Sequence, residues 1–217
     1  MTSMPQAANA ALESTLAEIE RTLTRQSLHR EILYKTLAFC QERRTMREVE
    51  DAIASFPEFK TATQNQYFLM NSLVEAGGLS RTFVDAAGEE LDWENLASAT
   101  DEEIDELIAD ELYETTDAGR QIVELHAPEA RLNELAAEEP ARVGAYRDVL
   151  AFCADSPRSY REVADLLAGS SALTRTSACA SGRIQPSVLI DKLNVCGGII
   201  WDGGWSTTRE GKEFIAS

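Results

Sequence analysis

Histidine is scarce in this chain. There are two, His29 and His126, and neither has a cysteine or a paired acid at metal-ligand spacing. Both are expected to be packing or surface residues, so zinc chemistry and histidine-based acid–base catalysis lose their usual carriers. The four cysteines, Cys40, Cys153, Cys179 and Cys196, form no CxxC pair. They are expected to be buried free thiols in a reducing compartment, not a disulfide framework. No GxGxxG, GxxxxGK[ST] or GxSxG is present, which removes the dinucleotide, nucleotide and esterase signatures. No apolar run approaches the ~20 residues of a membrane span. Residues 1–11 lack a basic stretch followed by an apolar core, so no signal peptide is expected and the chain is placed in the cytoplasm. The expectation is a non-enzyme with no catalytic residue, cofactor, metal, small-molecule ligand or membrane contact.

Positive charge is missing from one segment in particular. Residues 85–114 hold thirteen Asp and Glu and no Lys or Arg. Setting those thirteen aside takes the net charge from −17 to −4 over the other 187 residues. Nonspecific nucleic-acid binding through bulk charge is therefore not expected, although a local basic surface stays open. Within the segment, Thr100-Asp-Glu-Glu103 fits a helix capping box, and Ile104, Leu107 and Ile108 give one apolar face. The neighbouring acids radiate around that helix and do not converge on a metal.

What is present is a repeat. Leu16-Ala-Glu-Ile19 matches Leu132-Asn-Glu-Leu135, and Leu37-Ala-Phe-Cys40 matches Leu150-Ala-Phe-Cys153. Arg47-Glu-Val49 with Asp51 matches Arg161-Glu-Val163 with Asp165. Leu73 with Gly77-Gly78 matches Leu193 with Gly197-Gly198, and Thr115-Thr-Asp-Ala-Gly-Arg120 matches Thr207-Thr-Arg-Glu-Gly-Lys212. The offsets are 116, 113, 114, 120 and 92 residues. Five matches in one order predict an internal duplication, and two units make two domains, not a solenoid.

Each unit reads as three helices and a hairpin. Leu33, Leu37 and Cys40, and Tyr146, Leu150 and Cys153, fall at helical spacing. Thr45-Met-Arg-Glu48 and Ser159-Tyr-Arg-Glu162 are capping boxes that open a second helix. A third helix ends at the Gly-Gly pair, where Gly77 and Gly197 suit a left-handed cap, and buries Leu69, Leu73 and Ala76 or Leu189, Leu193 and Cys196. Pro186 suits its first turn in the second unit. Ile199-Ile-Trp201 and Trp205-Ser-Thr-Thr208 flank an Asp-Gly turn and predict a β-hairpin. In the first unit 36 residues separate Gly78 from Thr115, against eight between Gly198 and Thr207, so the first hairpin carries the acidic segment as an insert. A helix over residues 5–27, with Leu12, Leu16, Ile19 and Leu23 at 4-3-4 spacing, packs on its own domain or dimerises. Its counterpart runs over Pro128 to Glu138 between the domains.

Helix, helix, helix and hairpin is the order of a winged helix. The closing T-T-x-x-G-[RK] resembles the wing exit of bacterial regulators of the MarR and PadR kind, over residues 28–125 and 142–217 as two copies. The resemblance implies a mainly α fold with small β hairpins (α+β): an N-terminal helix 1–27, a winged-helix domain 28–126 with an acidic wing insert 85–114, a linker helix 127–141, and a second winged-helix domain 142–217. Copy two departs from it at residues 169–185, a small-residue loop longer than a tight helix-turn-helix tolerates. The acidic tandem architecture is also similar to the kleisin-partner subunits of chromosome-organising SMC complexes, by analogy of fold alone.

The candidate partner or DNA-contact face is Lys60, Gln64, Tyr67 and Asn71 in copy one and Arg175, Arg183, Ser187 and Lys192 in copy two. Gln and Asn can read adenine edges. Copy one's third helix has no cation, its wing is acidic apart from Arg81, and Asp191 opposes the cations of copy two. A protein partner or self-association is therefore favoured over duplex DNA, which stays the alternative.

Overall fold

Two separate apolar cores organise the helices. The computed structural model describes residues 4–92, 96, 100–174 and 182–217, with the backbone alone at 4–8 and 101. The chain divides into unit 1, Met1–Leu125, and unit 2, His126–Ser217. Unit 1 runs α1 (Met4–Thr24), α2 (Ser27–Phe39), β1 (Arg44–Thr45), α3 (Met46–Ser55), a 3-10 turn (Pro57–Thr61), α4 (Gln66–Glu75), β2 (Leu79–Val84), α5 (Asp101–Leu107), β3 (Asp110–Thr115) and α6 (Asp117–Leu125). Unit 2 runs α7 (Pro128–Glu138), a 3-10 turn (Pro140–Arg142), α8 (Val143–Ala154), α9 (Tyr160–Leu167), a 3-10 turn (Ser171–Leu173), α10 (Pro186–Val195), β4 (Ile199–Trp201), β5 (Trp205–Thr207) and α11 (Arg209–Ala216). The described chain is thus mainly helical, with a three-stranded antiparallel sheet ordered β1-β3-β2 and a two-stranded sheet β4-β5.

Local chemistry starts and stops these helices where the pattern predicts. Thr45, Thr100 and Ser159 each accept from the amide three residues on, while Glu48, Glu103 and Glu162 reach back to the cap's own amide. The backbone amide is the first cause, and the hydroxyl the second, that holds Glu48 and Glu103 below the usual carboxylate range; at Glu162 the order is reversed. α4 ends with Gly78 N–H on the Leu73 carbonyl at 2.8 Å and Gly77 N–H on that of Val74 at 3.0 Å. α10 ends the same way, with Gly198 on Leu193 at 2.8 Å and Gly197 on Asn194 at 2.9 Å. The closing residues Gly77 and Gly197 have φ of 78° and 76°, a left-handed turn that a β-carbon disfavours.

Three of the repeated sequence segments meet at one joint in each unit. Thr115 Oγ1 donates to the Leu37 carbonyl and Thr207 Oγ1 to that of Leu150, each at 2.6 Å. The next threonines, Thr116 and Thr208, donate to the Gly77 and Gly197 carbonyls at 2.7 Å. Each also caps the following helix, accepting from Gly119 N–H at 3.1 Å or Gly211 N–H at 3.0 Å. A β-carbon on Gly119 or Gly211 would run into the carbonyl oxygen of Gly78 or Gly198. The T-T-x-x-G segment is therefore scaffold. It ties the second helix of each unit, its Gly-Gly turn and its last helix together, and the Thr115 and Thr207 bonds are buried, where a lost hydrogen bond is costly.

Several boundaries differ from the sequence reading. Residues 110–114, assigned to the acidic insert, belong to β3, which pairs with β2 from Leu79↔Thr115 to Val84↔Asp110. The strand is hidden in sequence because Asp110, Glu111 and Glu114 break its apolar pattern, and only Tyr113 and Thr115 are fully buried. β1 adds a strand that two residues cannot announce. The acidic helix α5 is present. α1 lays Ile19 and Leu23 into the core of unit 1, and α7, expected as a linker, lays Leu132 and Leu135 into that of unit 2. Residues 89–91 fold back along the outer edge of β2, with Leu91 N–H on the Phe83 carbonyl at 2.9 Å and a bridge from Val84 to Glu90.

Candidate functional site

The third helix of each unit, α4 and α10, carries the candidate face. Asn65 caps α4, its side chain accepting from Phe68 N–H at 3.0 Å. Gln64 consequently lies in the bend before the helix, exposed, and not on its outer face as expected. Lys60 is exposed in the 3-10 turn upstream. Tyr67 does face outward and is 41% exposed. Asn71 is half-buried and donates to Glu75 at 3.0 Å. In unit 2, Ser187 is half-buried in the first turn of α10, and Arg183 is exposed with one nitrogen on the Ser170 carbonyl at 3.4 Å. Arg175 lies outside the described residues, as do Cys179 and Trp93.

Lys192 is held by a carboxylate of its own unit. Its ammonium lies 2.6 Å from Glu139, which also takes Arg142 at 2.6 Å and accepts from the Tyr146 hydroxyl. Burial works to raise the Glu139 pKa, but the Lys192 and Tyr146 hydrogen bonds and both cations outweigh it and hold the carboxyl below its usual range. Burial, with Glu139 alongside, pushes the Tyr146 phenol up. This cluster locks the α7–α8 junction to α10.

The cations of the first sheet are likewise held by carboxylates. Arg81, the arginine singled out on the wing, sits 3.7 Å from Glu111 and over the Phe83 ring at 5.1 Å. Burial opposes its charge, yet the neighbouring Tyr113, Glu111 and Tyr67 raise its pKa. Arg43 reaches Glu90 of the insert at 2.7 Å and Glu114 at 3.5 Å, and Arg120 reaches Glu114 at 3.0 Å. The charge is divided unequally: residues 1–125 hold 25 Asp and Glu against 10 Lys and Arg, and residues 126–217 hold 12 against 10. Glu102, Glu103, Asp105 and Glu106 of the insert are exposed.

The sequence reading missed Phe68. It is 57% exposed and meets Tyr67 edge to face at 5.9 Å. Val188 holds the same third position of α10 and is 37% exposed. A signal for both was available: each is apolar and stands one residue ahead of its helix's buried stripe, at Leu69 and Leu189, where an amphipathic helix turns polar. Trp201, on the predicted hairpin, is 50% exposed while meeting Trp205 edge to face at 5.2 Å.

The residues with conventional chemistry are placed as structure. His29 is buried, its Nε2 accepting from Thr63 N–H at 3.2 Å, and burial lowers its pKa. Cys40 and Cys153 are buried free thiols and Cys196 is partly exposed; burial pushes the Cys40 thiol up to about 12, far from a thiolate. Among the described residues no cluster of three His, Cys, Asp or Glu could hold a metal, and no helix is long and apolar enough to cross a membrane. The chain matches no protein-family model, no curated protein and no solved structure.

Proposed function

We propose that the chain is a non-catalytic tandem winged-helix protein, produced by internal duplication, that acts in the cytoplasm as a protein-interaction or regulatory module. Support for the duplicated winged helix comes from the matching joints: the same two threonines, the same Gly-Gly turn and the same crowded glycine recur in both units. Both units also follow the order of three helices, a hairpin and a closing helix, each behind a leading helix.

One observation carries the choice of partner. Two cations beside the third helices face carboxylates of the same chain, Arg81 on Glu111 and Lys192 on Glu139, while the outward third position of each helix is apolar, Phe68 and Val188. A DNA-reading helix needs the reverse, cations free for phosphates and polar groups for base edges. The runner-up, a DNA-binding regulator, keeps the exposed Gln64 and Arg183 in its favour.

Titration with random duplex DNA at about 50 mM and then about 200 mM salt separates the two, because a protein contacting several phosphates loses affinity steeply over that range. The interaction module shows no salt-sensitive binding. Tight binding at the lower salt that collapses at the higher one would make the protein a regulator instead.

A further inference from the structure

We infer that the outer face of α4 in unit 1 docks a basic segment that carries apolar side chains; this rests on the protein-interaction reading above. The face is apolar where it would be expected to be wet. Tyr67 and Phe68, 41% and 57% exposed, stack edge to face on the first turn of α4, which packs against β2, the strand that carries Arg81. Aromatics held this way lose little freedom on binding and are common anchors of protein interfaces.

The net charge of unit 1 selects the sign of the partner's charge. Arg81, the cation beside the pair, is already matched by Glu111. β2 runs on at Val84 into the insert, whose exposed Glu102, Glu103, Asp105 and Glu106 have no Lys or Arg within their own segment. Unit 1 as a whole carries 25 acids against 10 bases. An acidic partner would be repelled by this field and a basic one steered to it, while the aromatic pair supplies the short-range contact. Unit 2 has the smaller Val188 at the same helix position and a nearly balanced charge, so docking belongs to unit 1.

The test uses the full chain and a fluorescent amphipathic Lys/Leu peptide, with a Lys/Ser peptide of the same charge as control, in about 150 mM salt so that distant charges are screened. The Lys/Leu peptide is expected to bind at least tenfold more tightly than the control. Phe68→Ser should weaken it by about tenfold or more, as loss of an interface anchor does, and Val188→Ser should leave it unchanged. Thermal unfolding of both variants checks that these exposed substitutions keep the fold. Equal binding of the two peptides, no loss in Phe68→Ser, or no peptide binding at all would overturn the inference. Displacement of the peptide by random duplex DNA would instead overturn the protein-interaction reading beneath it.

Discussion

The hydroxyls of Thr115 and Thr207 reach carbonyls 78 and 57 residues earlier in the chain, and a glycine four positions later lets the next helix close over that contact. Thr207→Val should cost about 1 kcal/mol, the net worth of one buried hydrogen bond. Gly211→Ala should cost more, about 2–3 kcal/mol, because its methyl group is driven into the Gly198 carbonyl and the Thr207 side chain. Urea denaturation measures both, and equal losses would mean that the joint relaxes around the added methyl. At this scale the sequence is legible in part. The repeat marks these positions as important, but residue type alone cannot separate a scaffold threonine from a ligand-binding one. The carbonyl partner decides that, and it lies elsewhere in the chain. Lys192 shows the same limit, since Glu139 becomes its neighbour only through the tertiary fold.

Elements bounded by their own chemistry are found from sequence within a residue or two. The capping boxes open α3, α5 and α9, and Pro128–Glu138 is read as α7 residue for residue. Elements bounded by pairing are not, and β3 is the example, because its partners on β2 permit a strand that its own acids disfavour. α1 could have been either an intradomain helix or a dimer seam. Its Ile19 and Leu23 are closed off within unit 1, with Leu12 and Leu16 partly buried against the same core. Ile19→Ala should therefore destabilise the protein by about 2–4 kcal/mol at any protein concentration. A midpoint that rises with concentration in the native chain and not in the variant would assign the seam to dimerisation.

For the whole molecule, the main asymmetry is the insert. The span between the joint's threonine and its carbonyl is 78 residues in unit 1 against 57 in unit 2, a difference that by loop-closure entropy costs only about 0.3 kcal/mol. Replacing residues 85–109 by a short Asp-Gly turn removes ten acids and no bases, taking the net charge from −17 to about −8 with the turn's Asp. Unit 1 should remain folded, with stability changed by about 1 kcal/mol or less, since β2 and β3 are already in hairpin register. Circular dichroism through a thermal scan checks this, and loss of cooperative unfolding would show that the insert is integral to the fold. The insert also bears on solubility. A six-residue strand with an open outer edge is a template for pairing with another chain, whereas β4 offers only three residues. By laying 89–91 beside Phe83 and Val84 and setting Glu90 against Arg43, the insert leaves less of that edge open to edge-to-edge pairing.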